Sequence, residues 1–342
     1  MKHQRLSLLA VAIAAVALTG CEDDDNRPGS VSITTAGAPF VATDGLFLLE
    51  ELGDVPSPGD LMMGPAGFAP GAVLSRTRAA AAAVVEGEEI ACTYGGTYVA
   101  SSNEGSWGVD YNSCVEGYVD GEYEEYTVLN GTATGTYGSY GGFTAEYEDF
   151  SWKYTESYEG HVYERESYRI DGAYEDYAYY GGYGGYTQYH NYNGDGLKIS
   201  YSYKYDNDER AKKGPPPDSE ISYSITYDEY DVTAYYYGGY QYWNGSIKAT
   251  DSERGVWSID TPDGAFGVDY GCDRVTGVIR FTGRVAEGEE TDSFLTNILY
   301  VSGNGGPYAT YNLYESDDET LISSYTYNWF EYTEDDYSGC SG

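Results

Sequence analysis

The sequence predicts an all-β protein: a large antiparallel meander, curled into a barrel, a half-barrel or a sandwich, behind a short, partly helical N-terminal segment. Three observations lead there. From about residue 90, large and polar residues alternate with period two, as strands with one buried face require. Tyrosine, at 41 of 342 residues, supplies most of the large side chains and suits a pleated, half-buried surface. Asn193-Gly194-Asp195-Gly196 reads as a hairpin turn, and 206–220, with two lysines and three prolines, reads as an exposed loop between strands. Closure is expected because so long a meander otherwise leaves vulnerable edges.

The chain opens with Lys2, His3 and Arg5 and then an apolar run over residues 7–18. That run is too short for a spanning helix of about 20 residues and reads as a signal peptide. Its ending, Leu18-Thr19-Gly20-Cys21, resembles the lipobox of bacterial lipoproteins. The resemblance implies removal of residues 1–20 and a Cys21 carrying a thioether diacylglycerol and an N-acyl chain of the palmitate type. Several acyl chains hold a protein stably where one holds it marginally. Residues 21–36 are acidic and unpatterned, a flexible tether. Glu22 follows the lipidated Cys; in enterobacterial lipoproteins Asp there favours the inner membrane, so the resemblance implies the outer membrane.

Residues 37–89 form an N-terminal segment with two candidate helices. One covers 44–52, capped by Asp44, and the other 72–86, through the alanine run 79–83; prolines 56, 58, 65 and 70 separate them. Residues 90–342 form the β domain. Leu197, Ile199, Tyr201, Tyr203 and Tyr205 alternate with polar residues, as do Ile221, Tyr223, Ile225 and Tyr227. Two short motifs echo each other: Leu129-Asn130-Gly131-Thr132 with Trp243-Asn244-Gly245-Ser246, and Trp107-Gly108-Val109-Asp110 with Phe266-Gly267-Val268-Asp269. Their order is reversed between copies, which points to shared strand-and-turn chemistry and not to a tandem repeat. Cys92-Thr-Tyr-Gly-Gly-Thr97, Asp110–Cys114 and Asn130–Thr132 together resemble a group of Tyr/Gly-rich Gram-negative lipoproteins, a resemblance that brings no activity.

A formal charge of −38 excludes nucleic acid as a partner, because such a surface repels phosphate backbones, and it suits a salt-tolerant host. Besides Cys21 there are four cysteines, an even number in an exported chain, so two disulfides are expected. Of three connectivities, Cys92–Cys114 with Cys272–Cys340 keeps each pair within one end of the β region. No metal site is expected: no CxxC spacing occurs, and His161 and His190 lie far from any Cys.

Most tyrosines suit half-buried strand positions. Alternation fails, however, at Tyr177–Tyr186 and at Tyr235–Tyr237 with Tyr240 and Tyr242. Consecutive tyrosines must face both ways there, so Tyr180, Tyr183, Tyr186, Tyr240, Tyr242 and Trp243 are the expected contact surface for a glycan or an envelope protein. Carboxylate pairs such as Glu146 with Glu148 or Glu164 with Glu166 have tolerable acid–base spacing, but 56 acidic residues make such pairs unavoidable. Asn191–Gly196 resembles half a calcium loop, yet its twelfth position is Ser202 where Glu is needed. No GxSxG, HExxH, phosphate-loop or dinucleotide motif occurs, so no catalytic residue and no cofactor is expected. The reading is an outer-membrane lipoprotein, anchored by lipid, with a binding or structural role. The alternatives are an extracytoplasmic glycan hydrolase using a carboxylate pair, and a lipid or lipoprotein carrier with an apolar cavity.

Overall fold

A computed structural model describes residues 38–62, 87–181, 187–205, 219–252, 255–269, 274–283 and 297–329. Cys21 and its tether, the helix expected over 72–86, Cys272, Cys340, Tyr183 and Tyr186 lie outside them. The chain forms two compact units, the first comprising Val55–Ala178 and Asp195–Thr226, the second Met1–Asp54, Tyr179–Gly194 and Tyr227–Gly342. Strand pairing runs through one antiparallel sheet of 16 strands, so the chain forms the expected all-β meander. No helix among the described residues is long and apolar enough to cross a membrane.

The first unit holds β1 (Glu89–Ala91), β2 (Gly95–Asn103), β3 (Ser106–Asp120), β4 (Tyr123–Tyr137), β5 (Phe143–Tyr158), most of β6 (His161–Gly181), β8 (Leu197–Tyr205) and the start of β9 (Ser219–Tyr237). The second holds the end of β6, β7 (Thr187–Gly194), the rest of β9, β10 (Tyr240–Asp251), β11 (Gly255–Asp260), β12 (Phe266–Asp269), β13 (Arg274–Gly283), β14 (Ile298–Gly306), β15 (Tyr308–Tyr314) and β16 (Leu321–Asn328). Successive strands are neighbours with two exceptions. Strands β7 and β8 both pair with β6 and β9, and β11 and β12 both pair with β10 and β13. The chain therefore does not reverse at Asn193–Gly196, and the expected hairpin is instead an interruption between two strands that share the same neighbours. Gly194 (φ +156) and Gly196 (φ +73) permit the interruption.

Bulges organise the first unit. Ser113, Gly131, Asp149 and Gly172, on four neighbouring strands, all have positive φ. The register slips between Tyr111 and Cys114, between Asn130 and Thr132, and between Tyr147 and Phe150. Each extra residue shifts the alternation by one so that the same face stays inward: Phe143, Ala145 and Tyr147 are buried before the bulge in β5, Phe150 and Tyr154 after it. Side chains bridge the seam, the Ser113 N–H donating to Asn130 Oδ1 at 3.0 Å and the Asp149 N–H to Asp171 Oδ1 at 3.1 Å. The Asn-Gly echo has its explanation here. Gly131 (φ +89) and Gly245 (φ +137) both lie where a Cβ would collide with a neighbouring strand's carbonyl oxygen, that of Asp149 at 2.3 Å or of Asp231 at 2.0 Å.

Each unit has a small helix on its core. In the second, α1 (Ala38–Gly53) starts six residues before the expected Asp44. Pro39 lies in its first turn, where a missing N–H is harmless. Its Ala42, Leu46, Leu48, Leu49 and Leu52 are buried, and Gly45 packs so closely that a Cβ would enter the Phe281 ring. The buried Tyr227 hydroxyl donates to the Leu48 carbonyl at 2.8 Å. In the first unit, α2 (Pro58–Met62) carries a capping box: the Asp60 N–H donates to Ser57 Oγ and the Ser57 N–H to the Asp60 carboxylate. Tyr111 and Tyr147 donate to the carbonyls of Leu61 and Pro56.

Cys92 and Cys114 are joined by a disulfide closing a separation of 22 residues. Replacing both with Ser is expected to lower stability by about 3 kcal/mol on the chain-entropy model, seen as a lower urea midpoint at unchanged slope.

Candidate functional site

Two clusters stand out, one in each unit. In the second unit the core face carries Tyr230, Val232 and Ala234 of β9 and Trp243 and Ile247 of β10, all buried. On the opposite face, tyrosines line up across the strands. Tyr179 stacks on Tyr189 (centroids 5.1 Å, planes 8° apart), Tyr189 meets Tyr235 (4.6 Å), Tyr235 stacks on Tyr242 (4.9 Å, 12°), and Tyr242 meets Tyr240 (5.7 Å). Register produces this ladder, since Tyr189 stands directly opposite Tyr235 and strand spacing is about 4.8 Å. The Arg274 guanidinium covers the last ring, 5.8 Å from the Tyr240 centroid.

Burial raises the hydroxyls of Tyr235 and Tyr242 above the usual phenol range, followed by the neighbouring ring hydroxyls. They therefore remain neutral donors throughout the physiological range. Beside the ladder Asn191 donates to Asp231 and Thr233. At the strand ends Tyr180, Tyr236 and Tyr237 are 49%, 69% and 66% exposed. The hydroxyls of Tyr180 and Tyr236 donate to the amides of Gln188 (3.4 Å) and Gln241 (2.9 Å).

The structure sorts the expected contact residues. Tyr180 is exposed, and Tyr240 and Tyr242 are half-buried within the ladder. Trp243 is a correction: it is 1% exposed and packs near Tyr192 and Gly53 under α1. Tyr242 and Trp243 are adjacent in one strand and so point to opposite faces. Sequence reasoning held Tyr179, Tyr235, Tyr236 and Tyr237 within its two tyrosine stretches without singling them out, and it missed Tyr189 as a rung. A usable signal was present: 179–194 and 232–247 contain no Asp, Glu, Lys or Arg, in a chain where 22% of residues are charged.

The second cluster lies on the core face of the first unit. Register sets Tyr118, Glu125, Glu156, Glu164 and Tyr205 directly opposite one another across β3, β4, β5, β6 and β8. The next row is Glu116, Thr127, Tyr154, Glu166 and Tyr203. Glu125 is only 6% exposed. Like charges facing across strands destabilise, and phenols answer them. Tyr123 donates to Glu125 (3.2 Å), Tyr154 to Glu156 (3.2 Å) and Tyr163 also to Glu156. Burial first, then the Glu156 and Glu166 carboxylates, raise Glu164 to about 7. Burial also raises Glu125, and it pushes Tyr203 up to about 12.

Glu164 with Glu166 is thus drawn into a network, whereas Glu146 and Glu148 are exposed on β5. Because phenols occupy the carboxylates of Glu125 and Glu156, the network is satisfied from within and reads as a proton-holding part of the core. A folded-state value above the unfolded one means the folded state binds the extra proton more tightly. Stability is therefore full below about pH 4.5 and falls as pH rises through about 7. After solvent screening the loss is about 1–2 kcal/mol. Glu164→Gln is expected to remove this decline and to raise the melting temperature at pH 8, which thermal melts across pH 4.5–8 would show.

Cys92, Cys114 and Glu116 bring their sulfurs and a carboxylate within 4.8 Å. The sulfurs are bonded to each other, and Glu116 accepts the Thr93 N–H at 2.8 Å, so the group is a structural clasp. Comparison with known proteins finds no matching family model, no matching curated protein and no matching solved structure.

Proposed function

We propose that this chain is a lipid-anchored outer-membrane lipoprotein whose second unit presents a tyrosine surface to a partner in the cell envelope. The observation that carries the binding role is the ladder: five rings in contact on the face opposite the core, with Tyr237 exposed on the same side of β9 and Tyr180 and Tyr236 exposed on the other side at the strand ends. Core demands do not explain it, because α1, Trp243, Phe266 and Phe281 already furnish the buried side. The lipobox-like Leu18–Cys21 ending supports the anchor. Satisfaction of the carboxylate row by phenols weighs against a hydrolase.

Cys21→Ser is expected to remove the protein from the outer-membrane fraction, and its retention there would count against a lipid anchor. For the surface, a photoreactive benzoylphenylalanine placed at Tyr236 or Tyr237 in living cells is expected to give discrete adducts. At Tyr140, 61% exposed in the first unit, it is expected to give none. Equal yields at the three positions would defeat the reading.

A further inference from the structure

Resting on the contact-surface reading, we infer that the occupant of this surface is an uncharged polysaccharide lying across β7, β9 and β10. Charge makes the first argument. The protein carries a formal charge of −38, yet the two strand segments that build the ladder have no acidic or basic residue between them. The cation at the ladder's end, Arg274, is already paired with Asp269 at 2.9 Å, so an anionic glycan meets the repulsion of the rest of the surface with little to offset it. A cationic partner finds its counter-charges elsewhere on the protein. An uncharged polyol loses nothing by binding where the charge is absent.

Chemistry makes the second argument. Within the ladder the rings stack on each other, so what they offer outward is edges and neutral hydroxyls, spaced by one strand. A chain of sugars laid across the strands meets one phenol per strand. A face for sugar stacking comes from the well-exposed Tyr237, which shares the ladder's side of β9 with Tyr235. An aromatic face with adjacent hydroxyls matches the alternating C–H faces and hydroxyl edges of a pyranose.

Native affinity electrophoresis of the detergent-solubilised full chain tests this, with hydroxyethyl cellulose, laminarin and dextran as neutral probes and alginate as the anionic one. At least one neutral polysaccharide is expected to retard the protein, and alginate is not. Retardation should be unchanged between roughly 0.05 and 0.5 M NaCl, because no ion pair is involved. The Tyr236→Ala, Tyr237→Ala double variant should bind about tenfold more weakly or less, and Tyr237→Phe, which keeps the ring face, should bind as the parent does. Should the double variant melt early, Tyr237→Ala alone carries the comparison. Retardation by alginate alone, by none of the probes, or undiminished in the variants overturns the inference. If cross-linking from Tyr237 persists while no neutral probe binds, the surface contacts a protein and only the ligand class fails; if both are absent, the contact-surface reading fails as well.

Discussion

Gly131→Ala is expected to destabilise the first unit by about 2–5 kcal/mol, among the largest effects of any single-methyl addition in the chain. Two terms contribute. The residue sits at φ +89, where a Cβ is strained by about 1–2 kcal/mol. The added carbon would also lie 2.3 Å from the Asp149 carbonyl oxygen and 2.6 Å from the Phe150 nitrogen. Those are backbone atoms of a paired strand, which cannot swing aside as a side chain can, and overpacking of this sort adds about 1–3 kcal/mol. Gly105 provides the control, having φ +88 and nothing within 4 Å of its added Cβ. Gly105→Ala therefore isolates the strain term. Urea denaturation of the two variants should differ by about 2 kcal/mol, and equal losses would show that the bulge seam is not close-packed.

Trp243→Ala is expected to cost about 3–5 kcal/mol in the second unit, within the range for deleting a buried aromatic ring. The side chain is 1% exposed, and it meets Tyr192 at 6.5 Å between centroids. Its neighbour Tyr242 belongs to the ladder, and Tyr242→Ser should cost about 1 kcal/mol, chiefly the stack on Tyr235. The contrast between two consecutive residues reads out the two faces of β10. A Trp243 variant that melted like the parent would contradict the placement of α1 over this core.

Much of the fold is legible in local pattern. The alternation read at Leu197, Ile199 and Tyr201, and at Ile221, Tyr223, Ile225 and Tyr227, is the alternation of buried residues observed. It fails where the chain adds a residue. In β9 burial passes from Tyr227 to Tyr230, with Asp228 and Glu229 exposed between, a change of phase that only the partner strands can reveal. The same limit misassigned Trp243, grouped with the surface because Tyr235–Tyr237 had broken the alternation, although alternation resumes in β10. Asn193–Gly196 has the residues of a hairpin turn, and positive-φ glycines serve an interruption equally well. The glutamate row was not legible at all. Glu125, Glu156 and Glu164 carry no common motif, and only cross-strand register sets them side by side.

The central claim, that the second unit's exposed tyrosines exist for contact and not for folding, is tested most directly in one variant, Tyr180→Ser with Tyr236→Ser and Tyr237→Ser. Its melting temperature is to be read beside its in-cell cross-linking from position 240. Exposed substitutions change stability by under about 0.5 kcal/mol each, so the melt should fall by no more than about 2–5 °C, while adduct formation should be lost. A fall well beyond that range, or adducts formed at the parent's yield, would contradict the account.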